Sequence, residues 1–289
     1  GTVTLCSRTT QYVQGGAGTL AKGGAGTLTL SGSHASHTGG VTLNVGTVLA
    51  NGTLGSGTVT VASGGTLGGS GTIGGSVNVA SGATLSPGSG TGTGTLTING
   101  NLTMASGSTL AAQINGTTAG TGYDQVIVNG TVGLSGVALS VTHGYVAGLG
   151  DSYVLINNDA SDAVSGTFTG LTEGGTRTAD GNGTVLTVSY AGGTGNDVTL
   201  TAPVNAAPVL TATAGTTAFT EGANVTSTPV VVDGGLTVTD TDSTTLTSAT
   251  KYDESSKTAG ALVRRTGCSS PMRAAWATFL PATTAARAC

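Results

Sequence analysis

VTVASGGTL (59–67) is nearly repeated by VNVASGATL (77–85) and again by LTMASGSTL (102–110). A fainter copy, VTLNVGTVL (41–49), precedes them, so the copies start at residues 41, 59, 77 and 102. Within each copy apolar side chains alternate with Thr, Asn or Ser, as in Val59-Thr60-Val61. That period of two belongs to a strand with one buried face. Gly-rich breaks such as GGSGTIGGS (68–76) separate the copies and let the backbone turn sharply. A unit of this size cannot bury its own apolar face, but a stack can, each strand pairing in parallel with its copy about 4.8 Å above. The pattern therefore predicts an all-β chain built as a right-handed parallel β-helix, or solenoid, with Val, Leu and Ile inside and Thr and Asn outside.

Composition agrees with this reading and narrows the function. The 289 residues include 52 Gly, with 8% charged and 3% aromatic residues. There is no strict G-x-y period, which excludes collagen. The 37% apolar content and a net charge of −4 argue against disorder. Cations are scarce: residues 1–250 contain only Arg8, Lys22 and Arg177, whereas 251–289 are basic. Nucleic-acid binding needs clustered cations, so the body is a poor partner for it. No apolar run is long enough to span a membrane as a helix, so no transmembrane segment is expected. Cys6, Cys268 and Cys289 stand near the ends without metal-type spacing; they are expected to be free thiols, with a disulfide from Cys6 to either tail cysteine as the alternative. The chain opens on a repeat-like strand, GTVTL, and is expected to be a piece of a longer protein.

GGAGTLTLSG (23–32), the run from 41 to 75 and the run from 77 to 110 resemble the autotransporter-associated β-strand repeat of bacterial surface and secreted proteins. YDQVIVNGTVGLSG (123–136) and GDSYVLINND (150–159) are similar to the segment where such stalks close. After APVNAAP (202–208), residues 205–246 resemble the opening strands of a cadherin-like or Ig-like module of large adhesins. The expected organisation is a β-helix over 1–201, a linker and partial β-sandwich-like C-terminal segment over 202–250, and a foreign or disordered basic tail over 251–289. The resemblance implies a bacterial extracellular or cell-surface location and a structural, adhesive role without catalysis. Its partners would be a host surface, a glycan, or another copy through the open solenoid ends.

Several residues carry other chemistry. His143, Asp151 and Ser152 lie within ten positions of one another and supply the ingredients of a Ser/His-dependent carboxyl-ester hydrolase. Glycan cleavage would draw its acids from Asp124, Asp151, Asp159, Asp162, Glu173 or Asp180, with Arg177 beside them, because residues 1–123 hold no Asp or Glu. Glu221, Asp233, Asp240 and Asp242 resemble the acidic ligands of calcium-dependent adhesion modules, which makes Ca²⁺ the one cofactor suggested. His34 and His37, in SGSHASHTGG, are expected as a solvated loop pair. Outward Thr columns invite comparison with ice-binding solenoids, but steps of 18 and then 25 residues predict an irregular array.

Overall fold

A strand that must bury every second side chain finds its partner one coil away. The computed structural model describes residues 15–158, 162–181 and 183–203, and the backbone of three further strands, Val3–Leu5, Val209–Thr211 and Thr237–Thr239. The chain divides into two compact units, Gly1–Val204 and Asn205–Cys289. In the second, Val209–Thr211 and Thr237–Thr239 pair antiparallel. The candidate ligands Glu221, Asp233, Asp240 and Asp242, the three cysteines and the basic tail lie outside the described residues.

The first unit is an all-β solenoid with three sheets. Each coil passes from a first sheet to a second and then a third. In the first sheet the order is Val3–Leu5, Leu20–Lys22, Val41–Leu43, Val59–Val61, Val77–Val79, Leu102–Met104 and Val132–Gly133. All of these pair in parallel: Val41 faces Val59, Val59 faces Val77, and Val77 faces Leu102. The four repeat starts read from the sequence are thus the register of one sheet. The same stacking runs through the second sheet, from Thr27–Leu30 to Ala138–His143, and the third, from Ser33–His34 to Ser152–Asn158. Leu43, Val61, Leu67, Ile73, Leu85 and Ile98 are fully buried in the resulting core.

Coils this close leave no room for side chains at one corner, between the third sheet and the first. A Cβ on Gly57 would lie 1.7 Å from the carbonyl oxygen of Gly39, and one on Gly39 would lie 2.0 Å from that of Gly18. Glycine recurs there because backbone passes over backbone.

Coil length changes at a different corner, between the second and third sheets. Segments 88–94, 115–124 and 144–151 all leave the solenoid there. Register survives the excursions: Thr84 pairs with Thr109 although they are 25 positions apart. Thr27, Thr47, Thr66, Thr84 and Thr109 consequently form an unbroken column. The irregular array expected from the spacing is corrected, because the extra residues bulge outward instead of shifting the strand.

The C-terminal end is built differently. Asp197–Thr201 pairs antiparallel with Ser152–Asn158, Val185–Gly192 with Asp197–Thr201, and Thr176–Thr178 with Val185–Gly192. The last coil of the first two sheets is overlaid by single bridges, Gly133 to Ser165, Val137 to Phe168 and Thr142 to Asp180. Antiparallel return strands turn the growing edge of the third sheet into a hairpin stack.

Lys22 occupies an inward column, in register with Leu43 and through it with Val61, Val79 and Met104. It is fully buried, and its Nζ donates to the carbonyl oxygens of Gly24 (2.6 Å), Gly23 (3.1 Å) and Val45 (3.4 Å). The apolar stem continues the core while the ammonium turns back to main-chain acceptors.

Candidate functional site

The third corner excursion, 144–151, gathers most of the candidate chemistry. His143 ends the strand Ala138–His143, where its partner Ile114 faces the interior, and it is 1% exposed. Its ring lies 5.0 Å from that of Tyr145 and 5.9 Å from that of Tyr153, and Tyr153 packs edge-on against Tyr123 at 5.5 Å. The Tyr145 hydroxyl donates to Asp151 Oδ2 at 3.0 Å and is hydrogen-bonded to the Tyr153 hydroxyl. The Gly148 N–H donates to the same carboxylate oxygen at 2.7 Å. Burial and the neighbouring phenol and carboxylate push the Tyr145 phenol well above its ordinary value, and burial raises Tyr153 as well.

Ser152 stands apart from this cluster. Strand alternation sends Tyr153 inward and leaves Ser152 exposed, its Oγ 3.3 Å from Thr201 Oγ1 on the paired strand. Nucleophile activation requires the base within hydrogen-bond reach of the hydroxyl. The fold sends the His143 imidazole into the core and the Ser152 hydroxyl to the outer face. Asp151 is gathered with His143 through Tyr145, and Ser152 is not.

The other acids have separate structural duties. Asp124, 1% exposed, accepts the N–H groups of Gly94 and Gln113, both at 2.8 Å, and so ties two corner excursions to their coil. Burial raises its carboxyl to about 6, opposed by those two hydrogen bonds. Glu173 accepts the Tyr190 N–H at 2.6 Å; the hydroxyl of Ser189 and that N–H hold its carboxyl below the ordinary value. Asp180 faces Arg177 at 3.8 Å on the surface. Asp162 uses its main-chain oxygen, which accepts from the side-chain amides of Asn158 and Asn196. Asp159 lies outside the described residues.

One acid escaped the sequence reading. GGTGND (192–197) matches the G-G-x-G-x-D element of calcium-binding solenoid repeats. Here Asp197 is turned to another use. Its carboxylate accepts the N–H of Asn158 (2.8 Å) and the N–H (2.9 Å) and hydroxyl (3.2 Å) of Thr194, closing the turn between two return strands.

His34 and His37 require a correction. They are 3% and 4% exposed, not solvated. His34 falls in the inward column of Leu54, Ile73 and Ile98, and the turn that follows folds His37 under the same coil.

A groove of about 190 Å³ runs along the outer face of the second sheet, lined by Thr27, Thr47, Thr66, Ser86 and the overhanging Ser89. That is below the few hundred Å³ of ordinary ligand pockets. Among the described residues no three His, Cys, Asp or Glu converge on a common point, and no helix is long and apolar enough to cross a membrane. No protein-family model matches this sequence, and no curated protein matches it, so the functional reading rests on residues and geometry.

Proposed function

We propose that this chain is a structural stalk segment of a bacterial surface or secreted protein, a passive spacer that holds other parts of its parent away from the cell. The observation that supports this most is the continuous register of three parallel sheets across coils of unequal length. Such a ladder fixes end-to-end geometry through main-chain hydrogen bonds, and outward Thr and Asn keep the faces wettable. The repeat resemblance supports the surface location. Adhesion would fall to the corner excursions, toward a host surface or glycan, or to contacts with another copy.

The test is a distance measurement along the axis. Spin labels at Thr27→Cys and Ala138→Cys, five coil steps apart in one column, should report a narrow distribution near about 24 Å plus the label arms. The native cysteines would be replaced by serine in this experiment. A broad or multimodal distribution would rule out a rigid spacer. Hydrolysis of short p-nitrophenyl esters that falls at least tenfold in both Ser152→Ala and His143→Ala would replace the stalk reading with an esterase.

A further inference from the structure

The correction at His34 and His37 leaves an unusual arrangement. The His37 N–H donates to the His34 carbonyl at 2.9 Å, closing a four-residue turn. In such a turn the first and last Cα atoms lie within about 7 Å of each other. Both side chains are more than nine-tenths buried. Yet among the described residues His34 Nε2 and both ring nitrogens of His37 meet no hydrogen-bond partner. Buried polar groups are ordinarily satisfied, and each exception calls for a physical account. A neutral imidazole has one ring nitrogen with a free lone pair, and an unsatisfied lone pair buried beneath the Leu54, Ile73 and Ile98 column is available to a ligand.

We propose that His34 and His37 form a two-imidazole binding site for a monovalent copper ion. The surroundings select the metal. Zn²⁺ almost always takes four ligands in a structural site. No third His, Cys, Asp or Glu joins this pair among the described residues. Imidazole donors are neutral, and the stretch up to Tyr123 contains no carboxylate to offset a double charge. Burying an uncompensated divalent ion in an apolar interior carries a steep desolvation cost, which grows with the square of the charge. Cu(I) has a single charge, prefers nitrogen or sulfur donors to oxygen, and is content with two ligands. The site takes up the ion without changing its oxidation state; a neutral imidazole nitrogen from each histidine donates its lone pair. The turn brings the two Cα atoms within about 7 Å, which the sequence spacing alone does not.

The test uses the full chain, reduced and then alkylated at its three cysteines with iodoacetamide, since free thiol would compete for the same ion. Anaerobic titration with Cu(I), against a chromogenic bis-chelator that competes for it, should transfer one equivalent to the protein. His34→Leu and His37→Leu should each weaken uptake at least hundredfold; leucine matches the neighbouring column residue Leu54, so the coil should still form. The chain has only three histidines, so imidazole nitrogen NMR of the unmutated protein gives a second readout. The signals of His34 and His37 should move on copper addition while that of His143 stays. Failure of the thiol-blocked protein to take up Cu(I), undiminished uptake by both leucine variants, or movement of the His143 signal in place of the other two would each overturn the proposal. Tighter binding of Zn²⁺ than of Cu(I) would also overturn it.

Discussion

The stack of coils and the hairpin end solve the same problem with opposite means. Between Lys22 and Asp124 there is no charged side chain except what its histidines could carry, and order comes from repetition: Val on Val, Thr on Thr, glycine backbone on glycine backbone. From Tyr145 to Ala202 the repeats stop and individual polar groups take over. Asp197 closes a turn, Glu173 holds a strand end, and Tyr190 bridges Leu171 and Phe168. In the stack every coil is positioned by the one before it, and side-chain anchors such as Asn101 Oδ1, which accepts the Thr131 N–H at 3.0 Å, are exposed and themselves run from coil to coil. Among the described residues the last coil is followed by no further repeat of the same register, so its geometry is specified residue by residue.

This contrast can be broken at its strongest point first. Gly57→Ala places a Cβ against the Gly39 carbonyl and should cost about 3 kcal/mol or prevent folding, read as a large fall in melting temperature. A fully stable Gly57→Ala protein would mean the corner is looser than the stack requires.

Asp124 tests whether charge can be introduced into the stack. Its carboxyl binds a proton more tightly when folded than when unfolded, so its contribution is full below about pH 4. That stability is lost as pH rises toward and past about 6, a change on the order of 2 kcal/mol after allowance for solvent screening. Glu173 works in the opposite sense: its folded value is depressed, so its stabilisation is present at neutral pH and is lost as pH falls through the acidic range. Thermal melts from pH 3.5 to 7.5 should show the decline, and Asp124→Asn should remove it at the cost of lower stability throughout. An unchanged slope in Asp124→Asn would assign the decline to another group.

Tyr190→Phe sharpens the other side of the contrast. The hydroxyl donates to the Leu171 carbonyl at 2.6 Å and accepts the Phe168 N–H at 2.9 Å, both buried. Its removal should cost about 1–2 kcal/mol in chemical denaturation, because a buried donor and acceptor are left unsatisfied. The smallest effect is expected at Ser152→Ala, within about 0.5 kcal/mol, since the side chain is exposed and meets only Thr201.

What the sequence made legible follows the same division. The starts at 41, 59, 77 and 102 became strand register because identical rungs need similar letters. The rung at Leu20–Lys22 was hidden because a lysine occupies an apolar column, satisfied by carbonyls that no pattern of side chains encodes. The antiparallel return from Val185 to Thr201 was not foreseen: alternation predicts a strand but says nothing of its direction. The candidate site was the least legible. His143 and Ser152 are near in sequence, and their separation depends on which parity of each strand faces inward. His34 and His37 sit among Gly and Ser, and only the column beneath them reveals that they are buried. Asp197 was overlooked because its motif occurs once, with none of the repetition that drew attention elsewhere.

The corner where 88–94, 115–124 and 144–151 leave the solenoid acts as a port for added sequence. Register above and below is held by the strands, so the length of what leaves there is almost a free variable: closing a loop twice as long adds only about 0.6 kcal/mol of entropy. The stack can therefore acquire new surface loops one coil at a time without redesigning its interior. A foreign peptide spliced between Gly90 and Gly92 would be carried on an otherwise unaltered stack of coils, which suits this fold to the display of inserted sequence.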